Sequence, residues 1–379
     1  MRVEQFKYEE NEWEKQAALK DCAQWVLVFG DHDRIVDGQC IQRIRACYPN
    51  AYLMGCTTAG EIHNDNTVCQ NSVSITAIQF EKSSIACKSF SINPQQDSKE
   101  VGIAITAAIN KEGLRHIFVL SEGVNINGSR LVEGMRELIG NEIPITGGLA
   151  GDGSRFEETF VVNNDQVLPN QIVVAALYGN IITSCASFGG WDTFGIERLV
   201  TKSKDNILYE MDEKPALLLY KEYLGEKAKD LPSSGLLFPL SVRIKENDQT
   251  LVRTLLGINE EDNSLIFAGD IPVNSYCRLM KANHHHLIDA ASSAAAMAKQ
   301  LLETKKTNLA ILISCVGRRL VLKQQADFEI EAVRKIIGEE ALICGFYSYG
   351  EIAPHSKNTE CELHNQTMTL TLLSEEGVD

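Results

Sequence analysis

One pattern recurs three times along this chain, and it constrains the fold more than any single motif does. Each copy opens with a short apolar run: WVLVF at 25–29, HIFVL at 116–120 and LAILIS at 309–314. Runs of this length and composition read as buried strands. A polar loop and an amphipathic segment follow, at 38–47, 129–139 and 327–337, and these read as helices. Each copy then enters an apolar stretch that ends in a glycine-bearing turn: AYLMGCTTAGEI at 51–62, IPITGGLAGD at 143–152 and ALICGFYSYGEI at 341–352. A last alternating strand starts beside an Asn/Gln pair, Gln70-Asn71, Asn170-Gln171 or Asn365-Gln366. Two copies have a strand and helix upstream, at 85–92 with 98–110 and at 275–281 with 284–303. The pattern predicts an α/β protein of repeated β-α-β units, forming two mixed sheets flanked by helices, with internal pseudo-symmetry.

The segment 179–270 breaks the pattern. It holds a loop with Trp191, a helix near 215–224, and strands at 251–257 and 264–268 joined by the polar turn Asn259-Glu260-Glu261-Asp262-Asn263. A boundary near 205 follows, giving an N-terminal α/β domain at 1–204 and a C-terminal one at 205–379. Trp191 reads either as a hydrophobic lid or as packing between domains.

The first and third turns share G-x-x-[ST]-x-G-E-I. Gly55, Thr58, Gly60, Glu61 and Ile62 match Gly345, Ser348, Gly350, Glu351 and Ile352, and Asp152 stands where the others have Glu. Glycines let a backbone bend and bring its N–H groups near a ligand, so Glu61, Asp152 and Glu351 can border shared clefts at the carboxyl ends of strands. The same residues also suit plain strand-to-loop turns whose carboxylates accept local hydrogen bonds.

Composition narrows the partners. With 36 Lys+Arg against 51 Asp+Glu the net charge is -15, which repels phosphate backbones and anionic membranes. The most apolar helical window, 287–298, carries Asp289, Ser292 and Ser293, so no membrane insertion is expected. The first residues lack an export signal, which predicts a cytoplasmic protein. The 11 cysteines include no Cys-x-x-Cys pair, and Cys185, Cys315 and Cys344 sit in apolar runs.

Enzyme motifs come close and fail. The 345–350 segment is one residue too long for a G-x-S-x-G elbow, so Ser348 is not expected to be a nucleophile. GVNINGSR at 123–130 lacks the Lys of a P-loop, and Asn127 or Ser129 reads as a helix cap. GLAGDG at 148–153 is not a dinucleotide fingerprint. No H-E-x-x-H is present; Asn283 with His284, His285 and His286 marks a helix start, and His63, His355 and His364 lie in the loops after turns. A haem needs only one neutral imidazole in an apolar pocket, and the sequence does not choose among the eight histidines. Arg318 and Arg319 follow the strand that holds Cys315, where Arg318 can meet a ligand carboxylate, Glu351, or a structural partner.

Together ISCVGRRLVL at 313–322, GFYSYGEIAP at 345–354 and LHNQTMTLTLL at 363–373 resemble the C-terminal half of FIST-domain proteins. GCTTAGEI at 55–62 and GGLAGD at 147–152 resemble the N-terminal half. The resemblance implies a sensory module for small ligands such as amino acids, and not an enzyme. In the subset that resembles nitric oxide sensing proteins it implies haem b and control of a sensor histidine kinase in a two-component system. Carried over by position, it marks Gly60, Glu61, Gly151, Asp152, Cys315, Arg318, Tyr349, Gly350, Glu351 and His364 as ligand-site candidates. No kinase or cyclase segment accompanies the two halves, which implies a separate signalling protein as partner. Three readings result: a haem or nitric oxide sensor, a haem-free receptor for an amino acid or other small metabolite, and, last, an enzyme pairing Glu61 with Glu351.

Overall fold

The computed structural model describes all residues except 10, 11, 14–16, 65, 69, 70, 94, 95, 245–249, 305, 357, 358 and 376–379, and leaves the side chains of 12, 13 and 66–68 undescribed. Gln70 of the first Asn/Gln pair lies outside the described residues. The described strands form four sheets rather than the two expected.

Three of the sheets repeat one order. In the first, Trp25–Gly30 runs parallel to Tyr52–Thr57 and antiparallel to Ser72–Gln79, which pairs with Arg2–Glu9. In the second, Leu114–Ser121 is parallel to Ile145–Leu149 and antiparallel to Gln171–Gly179, which pairs with Ser83–Ser91. In the third, Leu309–Cys315 is parallel to Leu342–Ser348 and antiparallel to Met368–Glu375, which pairs with Ile181–Phe188.

The turns send their following strands into other sheets. Glu61–His63 pairs with Leu342–Ser348 of the third sheet. Gly350–Pro354 pairs with Ile145–Leu149 of the second. Val161–Asn163 pairs with Tyr52–Thr57 of the first. Each exchanged strand lies opposite a glycine, with Val162 facing Gly55, Ile352 facing Gly147 and Ile62 facing Gly345. A Cβ at those glycines would stand 1.9, 1.8 and 1.7 Å from the carbonyl oxygens of Val28, Val119 and Leu312 in the neighbouring parallel strands. Gly55 and Gly345 therefore serve strand packing and not ligand approach.

The fourth sheet is built from residues between 192 and 281. Tyr276–Lys281, expected upstream of the third copy, pairs here with Asp192–Lys204 and Leu240–Arg243. Its expected place is taken by Ile181–Phe188. Local pattern fixes a strand but not its partner, and an insertion of this size conceals the true neighbour. The expected 251–257 strand is divided: Leu251–Arg253 pairs with Leu240–Arg243, while Leu255–Asn259 forms the expected hairpin with Ser264–Phe267. The division at 204/205 falls between Asp192–Lys204 and Ile207–Met211, neighbours in this sheet.

Strand alternation places the core. Trp25, Leu27 and Phe29, Phe118 and Leu120, and Leu309, Ile311 and Ile313 pack into one cluster shared by three sheets. Trp25 meets Phe118 edge to face at 5.6 Å, and Phe29 meets Phe346 at 4.7 Å. The intervening Val26 and Val28 face the helix Gln39–Cys47 side. Ile117, Val119, Ala310 and Leu312 likewise pack with residues of the helices Gly128–Ile139, His284–Leu301 and Ala326–Ile337. Thus the sheets share an inner core and carry their helices outside. The caps follow the sequence: Asn127 accepts from Arg130 N, and Asn283 from His285 N.

Candidate ligand-binding cleft

The three glycine turns meet where strands of different sheets end. Ala59 N donates to Tyr347 O at 2.8 Å, and Tyr347 N to Gly60 O at 2.7 Å. Gly151 N donates to Thr57 O at 2.9 Å, and Gly153 N to Thr58 O at 3.1 Å. The third turn reaches the second through Tyr349, whose hydroxyl donates to Asp152 Oδ1 and whose ring stacks on Phe156 at 4.2 Å.

An open cleft of about 910 Å³ lies beside this junction. Glu61, Gly60 and Thr58 border it from the first turn, Asp152 and Arg155 from the second, and Arg319 and Lys323 from the segment after Leu309–Cys315. Asp31, His32 and Asp33 close the rim directly after the strand Trp25–Gly30. This is the carboxyl-end location at which open α/β sheets take up ligands.

Charges of both signs face the space. Arg319 donates to Ala59 O, and its guanidinium stands 5.6 Å from the Tyr347 ring. Arg155 Nε donates to Asp152 O at 3.1 Å, and its Nη1 lies 3.8 Å from Asp33 Oδ1. Asp31 Oδ1 accepts from Asp33 N, and His32 Nδ1 pairs with Asp33 at 2.9 Å. That bond holds the Asp33 carboxyl below its ordinary value.

The buried acids differ in character. Burial pushes Glu61 up to about 7, against the hydroxyl donors Thr58 at 2.6 Å and Ser72 at 2.8 Å. Burial also acts to raise Asp152, but the Tyr349 hydroxyl and the N–H groups of Glu158, Glu157 and Phe156 outweigh it and hold the carboxyl low. Glu351 repeats the Glu61 arrangement with Ser348 at 2.7 Å and Thr367 at 3.0 Å, and burial pushes it up to about 8. It does not line the cleft.

The candidates from sequence therefore separate. Gly60, Glu61 and Asp152 line the cleft, while Gly151 and Tyr349 support it from behind. Gly350 is in strand pairing with Leu149. Arg318 is fully buried: its Nε and Nη2 bind Glu329, its Nη1 the Gly189 carbonyl and its Nη2 the Leu287 carbonyl. It meets neither Glu351 nor the cleft; its neighbour Arg319 occupies that place. Cys315 is buried, and burial raises its thiol well above the ordinary range. Trp191 is core, its Nε1 donating to Gln366 O at 2.9 Å. Asp31, His32, Asp33 and Arg155 were not singled out from sequence. The position of 31–33 after the first strand was a usable signal, the same one that pointed to Arg318 and Arg319.

Three of the described histidines are held by partners other than a haem iron. His364 is buried with Nε2 at 2.9 Å from the Ala353 carbonyl, and His116 has both ring nitrogens on Thr183 and Thr146. His32, the cleft histidine, is bound to Asp33 amid charged side chains, whereas a haem needs apolar walls on both faces.

Family models for the FIST N domain and the FIST C domain match residues 24–214 and 216–354. The chain belongs to the FIST family. FIST domains are in general sensory domains that bind small ligands. A relative of similar sequence is the uncharacterized protein MJ1623 of Methanocaldococcus jannaschii, 26% identical over 332 residues in a match that covers 79% of this chain. The match spans 64% of that relative's length. Among solved structures, a cyanuric acid hydrolase from A. caulinodans aligns over 99% of both chains with a TM-score of 0.38 and 7% identity.

Proposed function

We propose that this FIST protein is a haem-free sensory receptor for a small zwitterion of the amino-acid kind. One observation carries the reading: a single cleft brings Arg155 and Arg319 within the same space as Asp31, Glu61 and Asp152, from three separate parts of the chain. Guanidinium groups suit a carboxylate and the aspartates suit an ammonium group. Glu61 and Glu351 do not share the cleft, which speaks against a catalytic pairing of those two carboxylates. Because the cleft walls belong to different sheets, a ligand that bridges them shifts their packing equilibrium, and a separate signalling protein such as a sensor histidine kinase reads the shift.

The test is a thermal-shift panel of amino acids followed by calorimetric titration of the hits. A ligand at about 100 times its Kd stabilises the fold by about 2.7 kcal/mol. The expected result is saturable one-site binding that weakens about tenfold or more in Arg155→Gln, with its melting temperature nearly unchanged. Absence of any zwitterion binding, or equal binding by Arg155→Gln, would remove the reading. A Soret band in protein expressed with ample iron, shifting on addition of nitric oxide, would favour the haem sensor in its place.

A further inference from the structure

A second cavity, of about 270 Å³, lies between the fourth sheet and the helix Gly128–Ile139. Its wall includes Arg253, which is 4% exposed and sits on the strand Leu251–Arg253. Arg253 Nε donates to Asp270 O at 3.1 Å, and its Nη1 to Leu363 O at 2.9 Å and Val252 O at 3.3 Å. A guanidinium carries five N–H donors, and no hydrogen bond among the described residues uses those on Nη2. No described carboxylate forms an ion pair with Arg253 either, although Asp270 and Glu362 act on it at longer range. Burial lowers its proton affinity, outweighing the opposing pull of Glu362 and Asp270.

The rest of the wall adds donors. Arg136 lines the cavity with a buried Nε that has no partner, while its Nη2 is held by Glu360. Ser129 Oγ lies at the helix start beside Asp270 N. Of the three acids of the wall, Glu133 is held by Lys99 and Arg130 and Asp270 Oδ1 by the Asn127 amide, while Glu362 acts on Arg253 without an ion pair to it. Buried charges in folded proteins are paired, so a cation satisfied only by neutral carbonyls beside a cavity leaves room for an anion.

We infer that this cavity is a second ligand site, for a small oxyanion such as phosphate or a short carboxylate, held by Arg253 Nη2 with Arg136 Nε and Ser129 Oγ. It is separate from the cleft at Arg155 and Arg319, and sharing no lining residue with it, it can fail or stand independently. An anion here would join the fourth sheet to the helix Gly128–Ile139.

The experiment is titration of the full chain with inorganic phosphate, acetate and succinate at constant ionic strength, with chloride as reference, read by calorimetry and melting temperature. Saturable binding of at least one oxyanion is expected, retained in Arg155→Gln and weakened about tenfold or more in Arg136→Gln, which leaves the buried Arg253 in place. Arg253→Lys, if folded by circular dichroism, should lose most of the binding, because an ammonium lacks the planar fork. Loss only in Arg155→Gln would assign the anion to the cleft and overturn the inference. So would shifts no larger than those in chloride.

Discussion

Arg318 and Glu329 form a fully buried ion pair in which Nη2 at 2.8 Å and Nε at 3.1 Å reach the same carboxylate oxygen. The other oxygen accepts from Ser314 at 3.1 Å and Tyr347 at 2.9 Å. Helix Val316–Leu322 is thereby tied to helix Ala326–Ile337 and to two strands of the third sheet.

Removing one member strands the other as a buried charge. Arg318→Ala is expected to cost about 3–5 kcal/mol in urea denaturation. Arg318→Met combined with Glu329→Leu should cost less than the single change, since no lone charge remains. A double variant less stable than Arg318→Ala would contradict the assignment.

The twin buried glutamates set a pH dependence. Burial raises Glu61 to about 7 and Glu351 to about 8 from 4.5. Across that interval the folded chain holds protons that the unfolded chain has released. Their contribution to stability is therefore complete below 4.5 and falls as pH rises through the folded values. Glu351→Gln keeps the contacts with Ser348 and Thr367 without the titration, so its stability should fall less than wild type between about pH 5 and about pH 8. Parallel pH profiles for the two proteins would count against it.

Asp152 acts in the opposite direction. Held low by Tyr349 and three N–H groups, it contributes stability above its ordinary value of 3.8 that is lost as pH falls further. Tyr349→Phe removes one donor and should cost about 1–3 kcal/mol while loosening cleft residues 152–158. Hydrogen exchange across that segment would show it; unchanged protection there would not fit.

Gly60 has a φ of +129°, and a Cβ there would stand 2.3 Å from Arg319 Nη1. Gly60→Ala should cost about 1–3 kcal/mol and displace the guanidinium, so ligand binding in the cleft weakens along with stability. Gly153→Ala, where a Cβ meets nothing within 4 Å, is the control: φ strain alone, with binding kept. Equal loss of binding in the two variants would argue against a role for Arg319.

Much of the secondary structure was legible. The runs at 25–29, 116–120 and 309–314 are strands because their alternating faces are both buried, one toward the shared core and one toward helices. Asn127 and Asn283 announced helix starts because capping is a local interaction. Of the candidate site, the turn residues Gly60, Glu61 and Asp152 were readable from repetition. Arg318 was not distinguishable from Arg319, since adjacent residues on a helix point about 100° apart and only packing shows which one turns inward.

The sequence by itself determined three like strand–helix–turn units, their acidic turn residues and the family to which the chain belongs, because these depend on spacing along a few residues. The tertiary structure alone decided that each turn passes its strand to another sheet, that Ile181–Phe188 and not Tyr276–Lys281 completes the third sheet, and that Arg155 and Asp31 line one cleft. Backbone hydrogen bonding in a sheet is nearly blind to sequence, so partners distant in the chain are chosen by the burial of whole faces, a property no local pattern contains.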